Sequence, residues 1–187
     1  IGPLVTILLF ATPALTMRVL ADEHRMGTIE LLLTAPVRDW ELVVGKWLGA
    51  MGFVLAVLAV TWVYPIILHR MTTPGIDQGV LLSNYIGLAL MAAAMVAIGV
   101  MISSFFSSSV AAFFTTLAVM LGLWIVGGFA SGASGGSDLL RNLSFVDHFY
   151  TNFYQGILDL GDAVYFLSLS ALALFLGSQA VEARRWR

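Results

Sequence analysis

The order of apolar and polar residues divides the chain into five long apolar stretches separated by polar segments. Each stretch is apolar all round and meets the roughly 17–25 residues that a membrane-spanning helix needs. No part alternates with the period of two that a barrel strand requires, so helices must satisfy the backbone in lipid. The pattern predicts an all-α fold, a polytopic membrane helical bundle. The predicted spans are about 1–17, 43–68, 79–102, 110–130 and 163–181.

Composition supports a membrane protein. Of the 187 residues, 59% are hydrophobic and only 11% charged, and the mean hydropathy is +0.93. A soluble domain carries about 25% charged residues, so this chain is expected to lie among membrane lipids. Cysteine is absent, which excludes disulfides, cysteine–zinc sites and a thiol nucleophile. A net charge of −2 without a basic, aromatic-rich patch excludes a nucleic-acid partner.

Lysine and arginine collect on one side of the predicted bundle. With five spans, the polar segment 18–42, the 103–109 link and the C-terminal tail face the same side as seven of the nine basic residues. The other side holds only Arg70 and Arg141. Because basic residues favour the cytoplasm, segment 18–42 and the C-terminus are predicted to be cytoplasmic, with residue 1 near the outer face. The seven are Arg18, Arg25, Arg38, Lys46, Arg184, Arg185 and Arg187.

The chain begins inside an apolar stretch. Ile1 is not an initiator methionine, and no basic leader precedes the first apolar run. We therefore expect the sequence to be part of a longer protein, with at least one N-terminal span missing.

The polar segment 18–42 is the longest charged stretch between two spans. Thr28 can cap a short helix with one apolar face, with Glu30 in its first turn, and Pro36 ends that helix. Asp39 is predicted to cap a second helix that runs on into the membrane. The segment suits docking of a soluble partner, but a solvated loop with interfacial helices explains the same pattern, and the residues alone leave both open.

Small and polar residues within the spans predict helix packing. Small residues at i+4 spacing let helices approach closely, either within the subunit or at a dimer seam; both alternatives stay open for both stripes. Serine and asparagine near the ends of the third span are expected to bond between helices. The stripes are Gly45, Gly49 and Gly52, then Ala89, Ala93 and Ala97; the polar residues are Ser83, Asn84, Ser103 and Ser104. Trp40 and Trp47 are expected at interface depth.

The predicted outer loop, 131–162, contains one motif with possible chemistry. Its first part is rich in glycine and serine, and its second part is typical of short amphipathic helices. Residues 132–136 satisfy G-x-S-x-G, so an intramembrane serine protease using Ser134 is an alternative function. Such a site needs a histidine in a facing span, and His24, His69 and His148 all lie outside the span interiors. His148 beside Asp147 is at most half of a metal site.

The chain contains no nucleotide site of its own. Gly45-Lys46 is not a phosphate loop, because Trp40 stands where glycine is needed and Trp47 replaces the serine or threonine. No acid, lysine or arginine lies deep within a span, which argues against an ion-coupled carrier. No cofactor is expected on this chain; if ATP and magnesium drive it, a partner subunit binds them.

Several stretches together resemble a known family, the permease subunits of ABC-2 type transporters. The most specific is 22–37, an E-x-R-x-GT-x-E-LL-x-x-P run. The resemblance is greatest to the gliding-motility-associated group, with the permeases of nitrous-oxide-reductase maturation as relatives, although Asp22-Glu23 replaces a usual pair of glutamates. The other matching stretches are 13–18, 45–46, 64–65, 85–88, 98–99, 103–104, 148–149, 156–157 and 162–166.

The resemblance implies a six-span permease of which spans two to six are present. Family permeases pair as homo- or heterodimers above two ATP-binding subunits in the bacterial inner (plasma) membrane and catalyse no chemistry themselves. It also implies that the segment between spans two and three contains the coupling helix that docks the ATPase. Carried over here, the coupling residues are Arg25, Gly27, Thr28, Glu30, Leu31, Leu32 and Pro36. A membrane assembly subunit that transports nothing is the remaining alternative, and the sequence does not identify a cargo.

Overall fold

Helices form nearly all of the structure, a computed structural model that describes residues 1–27, 38–73, 75–130 and 144–185, without the side chains of 127–130 and 184–185. No strand occurs in these residues, and the predicted all-α fold is confirmed. The elements are α1 (Gly2–Thr16), α2 (Ala21–Met26), α3 (Asp39–Thr61), α4 (Val63–Met71), α5 (Gln78–Phe105), α6 (Ser109–Ala130), α7 (Phe145–Tyr150), a 3-10 turn (Phe153–Gln155) and α8 (Leu160–Arg185).

Five helical stretches of the described chain are long and apolar enough to cross a membrane, and each overlaps one predicted span. We call the end of the bundle where α1 leads into α2 the basic end, because Arg18, Arg25 and Lys46 lie there. The α5 C-terminus and the α3 N-terminus meet α2 at this end. The stretches are Gly2–Met26, Asp39–Met71, Gln78–Phe105, Ser109–Val126 and Leu160–Ala183.

Helix α5 is the centre of the bundle. It packs against α1, α3, α6 and α8, and 72% of its most apolar window is buried, against 17% for the windows of Asp39–Met71 and Ser109–Val126. The predicted alanine stripe lies on this buried helix: Ala93 and Ala97 are buried, and the Trp47 indole donates to the Ala93 carbonyl at 3.0 Å. The alanine packing is confirmed, and Trp47 bonds inside the bundle while Trp40 stays exposed.

Two glycines on α5 are required by close neighbours. A Cβ added at Gly99 would lie 2.2 Å from the Thr16 Oγ1 on α1, and one added at Gly87 would lie 2.5 Å from the Phe153 ring. Both distances are far shorter than any van der Waals contact, so only glycine lets α1 and the 3-10 turn approach α5 this closely.

The glycine stripe of α3 does not pack against another helix of the same subunit in the described residues. A Cβ built on Gly45, Gly49 or Gly52 meets no atom within 4 Å. Among the described residues, packing within the subunit is therefore wrong for this stripe, because no neighbouring helix covers that face. A seam between subunits stays a prediction.

The second predicted span is broken near its end. Pro65 has no N–H to donate to the Thr61 carbonyl, so the regular series of backbone hydrogen bonds is interrupted at Trp62, between α3 and α4. Helical backbone angles continue through Trp62, at φ −60° and ψ −20°. Thr61 donates its hydroxyl to the Leu58 carbonyl at 2.6 Å, which satisfies that group within the helix.

The second half of the outer loop folds onto the bundle. Phe145, Phe149 and Phe153 are at most 1% exposed and join the main core. Ser83 donates to the Phe153 carbonyl and Asn84 to the Tyr154 carbonyl, both at 3.3 Å. The short helices predicted for this region therefore cover the end of α5 with aromatic side chains, and residues 131–143 lie outside the described residues.

Burial raises the pKa of the Tyr150 phenol at the end of α7, with a smaller contribution from Tyr154. Both rings belong to this aromatic cover, with centroids 5.3 Å apart. Tyr150 therefore stays neutral at physiological pH.

Candidate functional site

The first turn of α2 is capped by a side chain from another helix. Leu20, its N-cap residue, has no oxygen in its side chain, yet the first N–H groups of any helix need acceptors. The Ser103 hydroxyl of α5 accepts from the backbone N–H of Leu20 at 3.1 Å and of Ala21 at 3.0 Å. Ser103 donates in turn to the Met17 carbonyl at 3.4 Å, and all of Ser103, Leu20 and Ala21 are fully buried. The α2 helix thus begins attached to the basic end of α5.

An ion pair joins α2 to α3 across the predicted coupling segment. The Lys46 ammonium donates to the Glu23 carboxylate, and their side chains are only 34% and 19% exposed. Partial burial strengthens the attraction relative to a surface pair. Residues 23 and 46 flank segment 28–37 in the sequence, so this contact joins the two helices on either side of the segment.

The other charges on α2 interact weakly. Asp22 lies 4.0 Å from both the Arg18 and the Arg25 guanidinium groups, and both arginine side chains are about two-thirds exposed. Exposed pairs of this kind contribute about 0–1 kcal/mol. The Arg25 guanidinium is therefore available at the surface of the basic end.

Gly27 ends α2 in the left-handed region, at φ +71°. Residues with a Cβ rarely adopt this conformation, so glycine is the residue expected at this C-terminal cap. Of the predicted coupling residues, the structure describes Arg25 and Gly27. The predicted Thr28 helix and the coupling residues Thr28, Glu30, Leu31, Leu32 and Pro36 lie outside the described residues.

The chain re-enters the described region at Arg38, which precedes α3. Asp39 is the first helical residue, whereas the sequence predicted it as the cap, and the Glu41 carboxylate accepts from the Arg38 N–H at 2.9 Å.

The beginning of α3 and the end of α8 enclose a groove of about 490 Å³. Its lining residues are Arg38, Asp39, Trp40, Phe175, Ser178, Gln179 and Glu182. A groove with both charges and an exposed indole suits contact with a soluble protein.

The chemical alternatives gain no support from geometry. His148 pairs with Asp162 at 2.6 Å, not with its neighbour Asp147, and Asn152 donates to the second oxygen of Asp162 at 2.7 Å. In the part of the chain that the structure describes, no group of three or more histidine, aspartate or glutamate side chains is arranged to hold a metal. The protease hypothesis depends on Ser134, which lies outside the described residues.

Comparison with known families agrees with this architecture. The family described as ABC-2 family transporter protein matches residues 3–181, almost the whole chain. The chain belongs to the ABC-2 transporter family. No curated protein and no solved structure matches it.

Membership of the ABC-2 family makes this chain a multi-pass membrane permease, the non-catalytic transmembrane component of an ABC transporter. It also agrees with the architecture, since the family match covers all five spanning stretches apart from Gly2 at the start and the last two residues of Leu160–Ala183. The basic end, where α2 and α3 flank the coupling segment in the sequence, is the candidate site of this permease.

The sequence alone did not predict helix α2 or the contacts that attach it to α5 and α3 beside the coupling segment. Gly27 after six helix-compatible residues, with Asp22 and Glu23 in the first turn and Arg25 in the last, is a helix-ending pattern that could have predicted α2. Ser103 was expected to bond between helices, and this is confirmed, but its partners are not given by the sequence. The Glu23–Lys46 pair depends on the path of the chain between them.

Proposed function

We propose that this ABC-2 permease docks a separate ATP-binding subunit through segment 18–42. The contact residues would be Arg25, Gly27, Thr28, Glu30, Leu31, Leu32 and Pro36. The observation that supports docking most directly is that α2, which precedes the coupling segment, is attached to two spans at the basic end. Ser103 and the Glu23–Lys46 pair attach α2 to α5 and α3, so a push on that segment reaches the spans.

The wider assembly follows from the same proposal. The permease pairs as a homo- or heterodimer in the bacterial inner membrane, with the basic end and C-terminus in the cytoplasm and residue 1 near the outer face. ATP and magnesium bind to the partner ATPase. Seven of nine basic residues on one side support this orientation. The finer placement in the gliding-motility-associated group, with nitrous-oxide-reductase-maturation relatives, is proposed from the 22–37 run.

Mechanically, the permease converts docking contacts into a population shift between inward- and outward-open forms. ATP binding closes the partner subunits, and their movement displaces the coupling segment. The spans then carry this displacement to a path between the two permease subunits. A protein that only recruits others would share the docking but would move no cargo.

Two substitutions test the docking. Gly27→Pro imposes a negative φ where the chain has +71°, and Glu30→Lys reverses a charge of the proposed contact. Both are expected to abolish the stimulation of partner ATPase activity by the permease while the protein stays in the membrane. ATP turnover of the purified complex is the measurement, with the exposed Arg70→Gln on the opposite end as control. Normal stimulation in both variants would refute docking through this segment.

A further inference from the structure

Helix α2 is attached to two different spans by two different kinds of bond. At its beginning, the buried Ser103 hydroxyl of α5 binds the N–H groups of Leu20 and Ala21. In the same first turn, Glu23 pairs with Lys46 of α3. Ser103 also donates to the carbonyl of Met17, whose own N–H continues the α1 ladder by donating to the Pro13 carbonyl.

We propose that Ser103 and the Glu23–Lys46 pair are positioning residues that transmit movement of the coupling segment to α5 relative to α3. The inference rests on the proposed function, since it requires that a partner moves the segment. Helix α2 acts as a short lever: Gly27 marks the end that leads into the coupling segment, Ser103 its attachment to α5, and Lys46 its attachment to α3.

The two attachments of α2 differ in a way that suits the transmission of movement. Ser103 replaces the N-cap side chain that Leu20 lacks, so α2 cannot rotate away from α5 without exposing two buried N–H groups to an apolar environment. The Glu23–Lys46 pair is part-buried and joins long side chains, so it tolerates a change of angle while holding α2 to α3. One attachment is therefore short and directional, and the other is long and adaptable.

Helix α5 is suited to carry the displacement onward. Its residues from Ser83 to Ser104 are mostly buried, and at the far end Gly87 contacts the Phe153 ring closely. Close-packed interiors transmit strain because neighbouring side chains leave no room for compression. A shift at Ser103 thus reaches the aromatic cover of the opposite end, some 16 residues or about 24 Å away along the helix.

A purely structural role makes a different prediction. If these contacts only stabilise the fold, their loss lowers the melting temperature but leaves ATP-driven movement intact in molecules that remain folded. If they transmit movement, the folded complex loses the movement. The test must therefore measure a conformational change at a distance from α2.

These 187 residues contain no cysteine, so cysteines introduced here for labelling compete with no native thiol of this part of the chain. Spin labels are attached at Val60 of α3 and Leu82 of α5, both exposed and both near the end opposite α2. The distance between the labels is measured in the full-length protein bound to its co-purified ATP-binding subunit, without nucleotide and after trapping with ATP and vanadate. The variants are Ser103→Ala, Glu23→Lys, Lys46→Glu and the double swap Glu23→Lys/Lys46→Glu.

The unaltered complex is expected to show a nucleotide-dependent change in the label distance. Ser103→Ala and each single charge reversal should lose it, while Ser103→Thr, which keeps the hydroxyl, and the double swap should regain it. Ser168→Ala is the matched control, because Ser168 is exposed and its hydroxyl donates to the Tyr165 carbonyl of its own helix. A rescued swap also shows that the single variants fail through the lost pairing and not through misfolding.

The outcomes separate the inference from the proposed function. If the variants bind the ATPase and keep the full distance change, the positioning role is wrong while docking stands. If the double swap stays as defective as the single reversals, the pairing of Glu23 with Lys46 is not what transmits movement. If the unaltered chain binds no ATP-binding subunit, the proposed function fails and the lever fails with it.

Discussion

Single residues decide how closely the helices of this permease approach. Gly99 is the clearest case, because the Thr16 hydroxyl occupies the space that a methyl group would need. Thr16 also donates to the Thr12 carbonyl at 2.9 Å, so its side chain is held in place and cannot swing aside without breaking that bond. The contact joins α1 and α5 one turn before the Ser103 attachment.

Gly99→Ala is expected to destabilise the permease by about 1–3 kcal/mol, the range for overpacking a dense interior. The matched control is Gly122→Ala on α6, where an added Cβ meets nothing within 4 Å. That change should be neutral or should stabilise by up to about 1 kcal/mol through helix propensity. Thermal unfolding in detergent, followed by circular dichroism, measures both, and equal melting temperatures would contradict the close approach.

The Ser103 attachment shows what a residue type alone can and cannot predict. A serine near the end of an apolar span predicts a hydrogen bond between elements, because its hydroxyl needs a partner in lipid. Its N–H donors, on Leu20 and Ala21, and its acceptor, the Met17 carbonyl, lie more than 80 residues away in the sequence. Chemistry predicted the bond, and only the path of the chain determines the partners.

Among the elements, the long spans follow directly from the sequence. Apolar runs of sufficient length have no stable alternative to a helix in lipid, so all five were predictable. The short elements were harder. Helix α2 has six residues, too few to be stable alone, and it depends on Ser103 and Lys46 from distant helices. The α7 helix likewise depends on burying Phe145 and Phe149 against the bundle.

The segment from α7 to α8 is fastened by a buried polar contact. His148 stacks on the Tyr165 ring with centroids 3.9 Å apart, and its Nδ1 binds Asp162, which also accepts from Asn152. Asp162 is only 6% exposed. A buried carboxylate is tolerated when hydrogen bonds satisfy it, so this contact holds the aromatic cover onto the first turn of α8.

A double-mutant cycle tests that contact. His148→Gln and Asp162→Asn are each expected to destabilise the protein, and the coupling free energy between them should be about 1.5–3 kcal/mol, the range for a hydrogen bond to a charged group. The stacking of His148 on Tyr165 is lost in both arms that carry His148→Gln, so the cycle isolates the pair. Strictly additive effects on the free energy of unfolding would show that the two side chains contribute independently.

At the scale of the whole molecule, burial is very uneven. Helix α5 is enclosed, whereas the most apolar windows of Asp39–Met71 and Ser109–Val126 leave most residues uncovered. The open glycine stripe of α3, at Gly45, Gly49 and Gly52, belongs to one of these uncovered faces. The sequence predicts that another helix can approach this stripe closely. It does not tell whether that helix belongs to the same subunit, because the residues of α3 do not specify which helix packs against them.

The two ends of the molecule also differ in kind. Aromatic side chains cover α5 at the opposite end, while the basic end presents α2 and the groove beside Trp40. Charges and an uncovered indole at one end favour contact with a soluble protein there. This asymmetry, joined to the ABC-2 family match, is the reason for proposing that the basic end docks the ATPase.

The most direct test of that claim is site-specific photo-crosslinking to the co-expressed ATP-binding subunit. A photoreactive phenylalanine analogue is placed at Glu30, in the proposed coupling segment, and in a separate protein at Tyr154, which is exposed at the opposite end. The account predicts a crosslink to the ATPase from position 30 and none from position 154. A crosslink from position 154, or none from position 30 in a complex that still co-purifies, would contradict it.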